Sequence, residues 1–403
     1  MTSAVELEFD PFSEDYFVSP YETYRRMRDH APVYFNEKYK FWALFRYEDV
    51  SAAHLDWETF SSSHGVDLST LSQPPELIAA IQSLIMLDPP QHTTLRALVN
   101  KAFTPRAVEG LEPMIREVIG SYLDPFDDAD SFDAVGDFSG PFPVEVISRM
   151  LGVPAADRQQ IRHWLDASLH REPGQMDPSP EGITAIFAQM QYFLDLVADK
   201  RNRNDDDMIS RLIAAEVEGE DGEPARLSDQ EIANFVGLLG GAGAETVTKL
   251  VGNAVVLFHR NPEQWQKVLD DPAKAQPAVD EVLRYWPPSQ YQGRFSLRDA
   301  EVSGTKIPAG SPVLLITGSA TRDERFYEDA DAFDIDRPPS MALGFGYGIH
   351  RCLGAALAKM ESRVAIEELA RRWPKFRVDE ERCTRVHMSN VAGYASVPVV
   401  RVR

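Results

Sequence analysis

The stretch from Ser228 to Asn261 constrains the fold most. It opens with a capping box, Ser228 with Glu231, and stops at Asn261-Pro262. Between these signals the sequence predicts one unbroken helix. About 33 residues at ~1.5 Å each span roughly 50 Å, enough to cross a whole domain of this size. The middle of that helix reads LLGGAGAETVT. Gly240, Gly241 and Gly243 each cost a helix interior about 1 kcal/mol against alanine. Glycines there either admit a closely packed neighbouring helix or leave room for a flat or bulky group on the backbone. Glu245 and Thr246 follow directly, a carboxylate and a hydroxyl able to relay protons.

The rest of the chain reads as packing around this helix. From about Pro105 to Ala215 most segments have helical periodicity, with surface loops expected at 170–182 and 199–207. A polar stretch at 216–229 precedes the long helix. The segment APVYFNEKYKFWALFRYEDV predicts a small hairpin, and AEVSGTKIPAGSPVLLIT and SVPVVRVR predict short strands. No repeat, low-complexity tract or linker divides 1–403. The expected architecture is one mainly α domain with small β-sheets at its edges.

Composition narrows the function classes. With 43% hydrophobic and 26% charged residues, the 403-residue chain reads as soluble and globular. Residues 1–38 contain no long apolar run, so neither signal peptide nor membrane anchor is expected and the cytoplasm is the default location. A net charge of −22 argues against nucleic acid or anionic membrane as a partner. The 2 cysteines, Cys352 and Cys383, rule out a disulfide framework, so any role for a thiol is chemical.

Cys352 lies in GFGYGIHRCLGAALAKM. A structural zinc site needs four ligands, and no second Cys/His cluster accompanies His350 and Cys352. A thiol nucleophile needs a base, which such enzymes usually bring from elsewhere in the fold. A phosphate loop needs Lys and Ser/Thr after its glycines, and none follows. A small buried core residue would leave the glycine-rich approach without purpose. A thiolate metal ligand fits better. A helix follows, with Leu353, Leu357, Met360 and Val364 on one face. Its positive end is expected to favour the thiolate and lower its pKa. The glycines let the loop lie flat on a planar cofactor, and a lone thiolate points to haem with one axial face open.

The phrase FGYGIHRCLG resembles the haem-binding loop of the cytochrome P450 monooxygenases, through Phe345, Gly346, Gly348, His350, Cys352 and Gly354. Three further stretches are similar to family signatures, in the family's order. AGAET, from Ala242 to Thr246, resembles the distal segment of the long helix. EVLR supplies Glu281 and Arg284, which pair at i, i+3, with Arg337 as the third partner. LDPPQHTTLRALVNKAF resembles the helix whose His92 and Arg96 hold haem propionates, a role that the resemblance also gives to Arg294 and His350. Buried carboxylates need such charged partners. Three departures stand out. Ala342 sits where many bacterial members carry another propionate histidine, Gly344 replaces a more usual Ala or Ser, and Val247 stands where a second hydroxyl is common.

The resemblance implies a haem-thiolate monooxygenase with haem b, held by Cys352 between the long helix and the cysteine-loop helix, and O2 as co-substrate. Thr246 and Glu245 would serve proton delivery. Electrons would come from NAD(P)H through a ferredoxin reductase and a ferredoxin. The expected docking site is a basic patch at Arg351, Lys359 and Arg363, extended by Lys101 and Arg106. Expected pocket walls are Val66, Leu68, Phe235, Leu239, Gln290, Tyr291, Val391 and Tyr394, in segments that are mostly apolar or uncharged. Such walls favour a neutral lipophilic substrate such as a terpenoid, steroid or hydrocarbon.

Overall fold

The computed structural model describes residues 7–100, 103–203, 205–218, 224–340 and 342–402. The long helix runs from Asp229 to Arg260, and the Ser228–Glu231 capping box closes its first turn. The polypeptide turns at Asn261, and Pro262 opens the next helix, Pro262–Asp270. Almost every residue from Ala244 to Phe258 is buried, on all faces, so this half lies inside the protein.

The glycines of this helix serve neighbouring helices. A Cβ at Gly241 would come within 2.9 Å of Leu165, on the helix Arg158–Leu169. At Gly240 it would meet Phe193 at 3.5 Å, on the helix Pro180–Lys200, and at Gly243 it would meet Ile147 at 3.5 Å, on the helix Pro141–Leu151. Close helix packing therefore accounts for Gly240 and Gly241, while Gly243 both packs on Ile147 and borders open space. Ala242 and Gly243 also reach the cavity described below.

The predicted strands form, joined by others that the sequence reading does not contain. Val33–Asn36 and Phe41–Leu44 form the predicted hairpin. They join Pro312–Leu315, Gln292–Ser296 and Phe60–Ser61 in a five-stranded sheet, with Phe41–Leu44 and Pro312–Leu315 parallel. Inside the predicted helical region, Ser131–Asp133 is a strand paired with 398–400. Its partner is more than 260 positions away, so no local pattern announces it. The loop expected at 170–182 ends earlier, because Ser179 caps a helix that starts at Pro180.

The Glu281–Arg284 pair closes on itself in the core. Arg284 gives Glu281 two hydrogen bonds of 2.7 Å, and its other donors reach Thr321, Ala330 and Ala332 carbonyls. Arg337 adds an ion pair to Glu281 at 3.4 Å. Among the described residues, no helix is long and apolar enough to cross a membrane.

Candidate active site

The cysteine loop enters the protein through a hydrogen bond from Cys352 N–H to the Phe345 carbonyl, at 2.8 Å. Gly346 and Gly348 have φ of +68° and +69°, values that favour glycine. Gly344 has a separate reason to lack a side chain, since a Cβ there would stand 2.6 Å from Leu283 Cγ. The cysteine helix, Ala355–Arg372, then runs beneath the long helix.

Between these elements lies a cavity of ≈ 1450 Å³ of non-atom space, part of it open to solvent. Cys352 lines it, with Ala242, Thr246, Phe345, Gly346, His350 and Gly354. The thiol faces the cavity, yet burial pushes its pKa up. The Gly354 backbone, Arg96 and Arg351 act in the opposite direction and do not prevail. The expectation of a lowered thiol pKa is thus corrected: desolvation outweighs the loop and the nearby cations.

One end of the cavity is cationic and short of acceptors. Arg96 and Arg294 reach it, with His54 and His350, and the His92 ring packs edge-to-face on His350 at 4.5 Å. Arg294 is buried and donates to the Gly293 carbonyl at 2.7 Å. The Nε2 atoms of His54, His92 and His350 are buried without partners. Burial, then Arg294, brings the His350 pKa down to about 2 and that of His54 down to about 3. Burial lowers Arg294 to about 10, although Asp88 opposes the shift. Burial also lowers His92 and Arg96. Every one of these groups would gain from an incoming anion. Two guanidinium groups, three orphan imidazole nitrogens and an apolar slot ending at a thiol fit haem b, with its two carboxylates at one edge and an iron that takes thiolate.

The proton-relay candidates part company. Thr246 lines the cavity and donates its hydroxyl proton to the Ala242 carbonyl at 2.9 Å. Glu245 is not in the cavity wall. It is buried in an ion pair with Lys249, 2.6 Å away and one helical turn on. It also meets Asp166 from the neighbouring helix, whose carboxyl rises to about 6 through burial and then the Glu245 charge.

Of the expected pocket walls, Val66, Phe235 and Leu239 line the cavity. Leu68, Gln290, Tyr291, Val391 and Tyr394 do not. Leu68 sits in an aromatic cluster with Phe12 and Tyr24. Gln290 donates to Pro287 O at 2.6 Å, and the Tyr291 hydroxyl bonds Ser389 at 3.2 Å. Their neighbours Ser289 and Gln292 take the cavity side instead. Val391 packs on Val386 and Met388, and Tyr394 meets Trp286 edge-to-face beneath the Arg385 guanidinium.

Among the wall residues that the sequence reading does not contain, two are titratable. His54, at the end of the helix Tyr47–Leu55, carries no local signal. Glu361 had one: Leu357 and Val364 place it on the apolar face of its helix, where a carboxylate is out of place. Its Oε2 is unpartnered, and burial holds its pKa well above the carboxylate range.

The expected docking patch is mostly spoken for. Lys359 pairs with Asp280 at 2.6 Å, and Arg363 with Glu112 and Glu367 at 2.8 and 2.7 Å. Arg351 and Arg106 are exposed, and Lys101 lies outside the described residues.

Sequence and structure comparisons agree with this site. The Cytochrome P450 family profile matches residues 275–392. The chain belongs to the cytochrome P450 family, and its general function is that family's monooxygenase chemistry, which implies haem b and O2. It is 42% identical to cytochrome P450 123 of Mycobacterium bovis, over 98% of this chain and 97% of the relative. It is 36% identical to the erythromycin C-12 hydroxylase of Saccharopolyspora erythraea, over 93% and 92% of the two chains. The crystal structure of CYP109E1 from Bacillus megaterium with testosterone superposes with a TM-score of 0.85 at 33% identity, covering 96% and 98%. The mainly helical fold with small sheets is that of these relatives.

Proposed function

We propose that this chain hydroxylates a neutral lipophilic small molecule, with electrons from NAD(P)H delivered by a ferredoxin reductase and a ferredoxin. One observation carries the substrate class: away from its cationic end, the cavity is walled mainly by apolar side chains, among them Leu84, Ile85, Phe103, Phe235, Leu238 and Leu239. The cations at the other end are those suited to haem carboxylates, which leaves none among the described wall residues as an anchor for an anionic substrate. The testosterone bound by CYP109E1 and the macrolide named for the erythromycin hydroxylase are consistent with such a pocket.

In this reading Cys352 would ligate the haem iron. His92, Arg96, Arg294 and His350 would hold the propionates, and Ala242, Phe345, Gly346 and Gly354 would bound the ring. Bound haem supplies O2 reduction and oxygen-atom transfer; the protein supplies position, dryness and protons. The Thr246 hydroxyl spends its proton on the Ala242 carbonyl, which leaves its oxygen as an acceptor toward the cavity. Glu245 serves as the acid behind it, after turning from Lys249. Arg351 is the residue we assign to ferredoxin contact, since Lys359 and Arg363 are already paired.

An absorption titration tests the substrate class, using testosterone, erythromycin B and hexadec-9-enoic acid as probes. A low-to-high-spin shift with a neutral probe, and none with the acid, is the expected result. A shift with the fatty acid alone would overturn the neutral-substrate reading.

A further inference from the structure

The last turn of the helix Tyr47–Leu55 brings an unforeseen side chain to the cationic end of the cavity. Gly348 of the cysteine loop lies directly on the His54 carbonyl, and any Cβ at that glycine would overlap it. The helix end and the loop are therefore held in register, and His54 enters the cavity beside Arg294. It is 3% exposed.

The neighbours of His54 fix where its proton sits. Arg294 Nη2 lies 3.5 Å from His54 Nδ1, and a guanidinium only donates. Nδ1 is then the acceptor, and a neutral ring must carry its proton on Nε2. That Nε2 is buried and has no hydrogen-bond partner. The Gln292 carbonyl also faces the ring and favours its protonation, but it forms no hydrogen bond with Nε2; it accepts from Thr317, and the Gln292 amide donates to Ser289. A buried, unmet N–H costs about 1–3 kcal/mol, so its persistence needs a purpose. On the cysteine loop, position 342 is alanine and offers no side-chain donor.

We propose that His54 donates its Nε2–H to a haem propionate and takes over the contact that Ala342 cannot make. The ring is neutral, since burial and Arg294 keep its pKa at about 3. It is thus a donor of constant strength across the physiological range, while Arg294 carries the charge. The proposal rests on the reading of this cavity as the haem site.

The test is haem retention, followed as transfer from the loaded protein to excess apomyoglobin. His54→Ala is expected to lose haem about tenfold faster than the parent, as befits one hydrogen bond to a charged group. His54→Gln, which keeps an N–H donor, is expected to recover part of that loss. Ala342→His in the His54→Ala background is expected to restore retention, which a merely structural defect near residue 54 would not allow. Equal rates in the parent and His54→Ala overturn the proposal. So does a faster loss that neither His54→Gln nor Ala342→His relieves. A parent protein that takes up no haem overturns the reading of the cavity itself.

Discussion

Two buried polar clusters in this protein look alike in sequence and differ in physics. Around Arg284, all five guanidinium donors meet acceptors: two on Glu281 and three backbone carbonyls. Around Arg294, donors outnumber acceptors, and three histidines leave Nε2 unmet. The first cluster is complete within the chain and holds the fold together. The second is incomplete, and its unmet donors all belong to residues at one edge of the cavity that contains Cys352. Buried charge that satisfies itself is architecture; buried charge left open describes the partner it awaits.

The comparison breaks most clearly by removing one member of each cluster. Glu281→Ala leaves Arg284 buried and uncompensated, which is expected to cost about 3–5 kcal/mol of stability. Arg294→Leu removes a buried cation that no carboxylate pairs with among the described residues, so the cofactor-depleted protein is expected to stay within about 1 kcal/mol of the parent. Its haem retention should collapse. Denaturant unfolding of the cofactor-depleted variants checks both, and an Arg294→Leu variant as unstable as Glu281→Ala would remove the distinction.

A smaller effect is expected where the two regions touch. Gly344 sits against Leu283, so Gly344→Ala should cost about 1–3 kcal/mol through overpacking. Thermal unfolding of the depleted protein would show it; an unchanged midpoint would mean that the Ala or Ser usual in relatives is tolerated here.

Of similar size is a pH effect at Asp166. Its carboxyl rises from an ordinary 3.8 to about 6, so the folded protein keeps a proton that the unfolded chain releases. The stabilisation is full below about pH 4 and is lost as pH rises through 6. By linkage this loss is on the order of 3 kcal/mol. Lys249 and Arg162 oppose the rise, and Glu245 promotes it. Asp166→Asn should flatten the fall in melting temperature over that interval, whereas parallel curves would place the titration elsewhere.

The smallest expected effect is at the surface. Arg351→Glu should slow reduction by ferredoxin several-fold and spare reduction by dithionite, while Lys359→Gln should do less, because Asp280 already takes that charge. Stopped-flow reduction separates the two. Equal slowing would restore Lys359 to the docking surface.

Much of this was legible in the sequence, for reasons that differ by residue. The long helix announced both ends through Ser228, Glu231 and Asn261-Pro262, which act locally. The Glu281–Arg284 pair and the cysteine loop were readable because spacing along one element sets their geometry. Contacts made across the chain were not. The strand Ser131–Asp133 waits for the C-terminal strand, and His54 is placed by a loop nearly 300 positions later. Glu245 stands beside Thr246 in the sequence, but its direction is set by Lys249 one turn on and by Asp166 from another helix. Gln290 and Tyr291 were assigned to the cavity because the segment reaches it, while the neighbours Ser289 and Gln292 hold the wall positions.

The central claim is that the open cluster and Cys352 together form a haem-thiolate site. The most direct test is the absorption spectrum of the purified, reduced protein under carbon monoxide, beside that of Cys352→His. The account predicts the strongly red-shifted band of thiolate-ligated haem in the parent and its loss in the variant, with haem still bound. A parent spectrum without that band after haem supplementation, or the same band in Cys352→His, would contradict it.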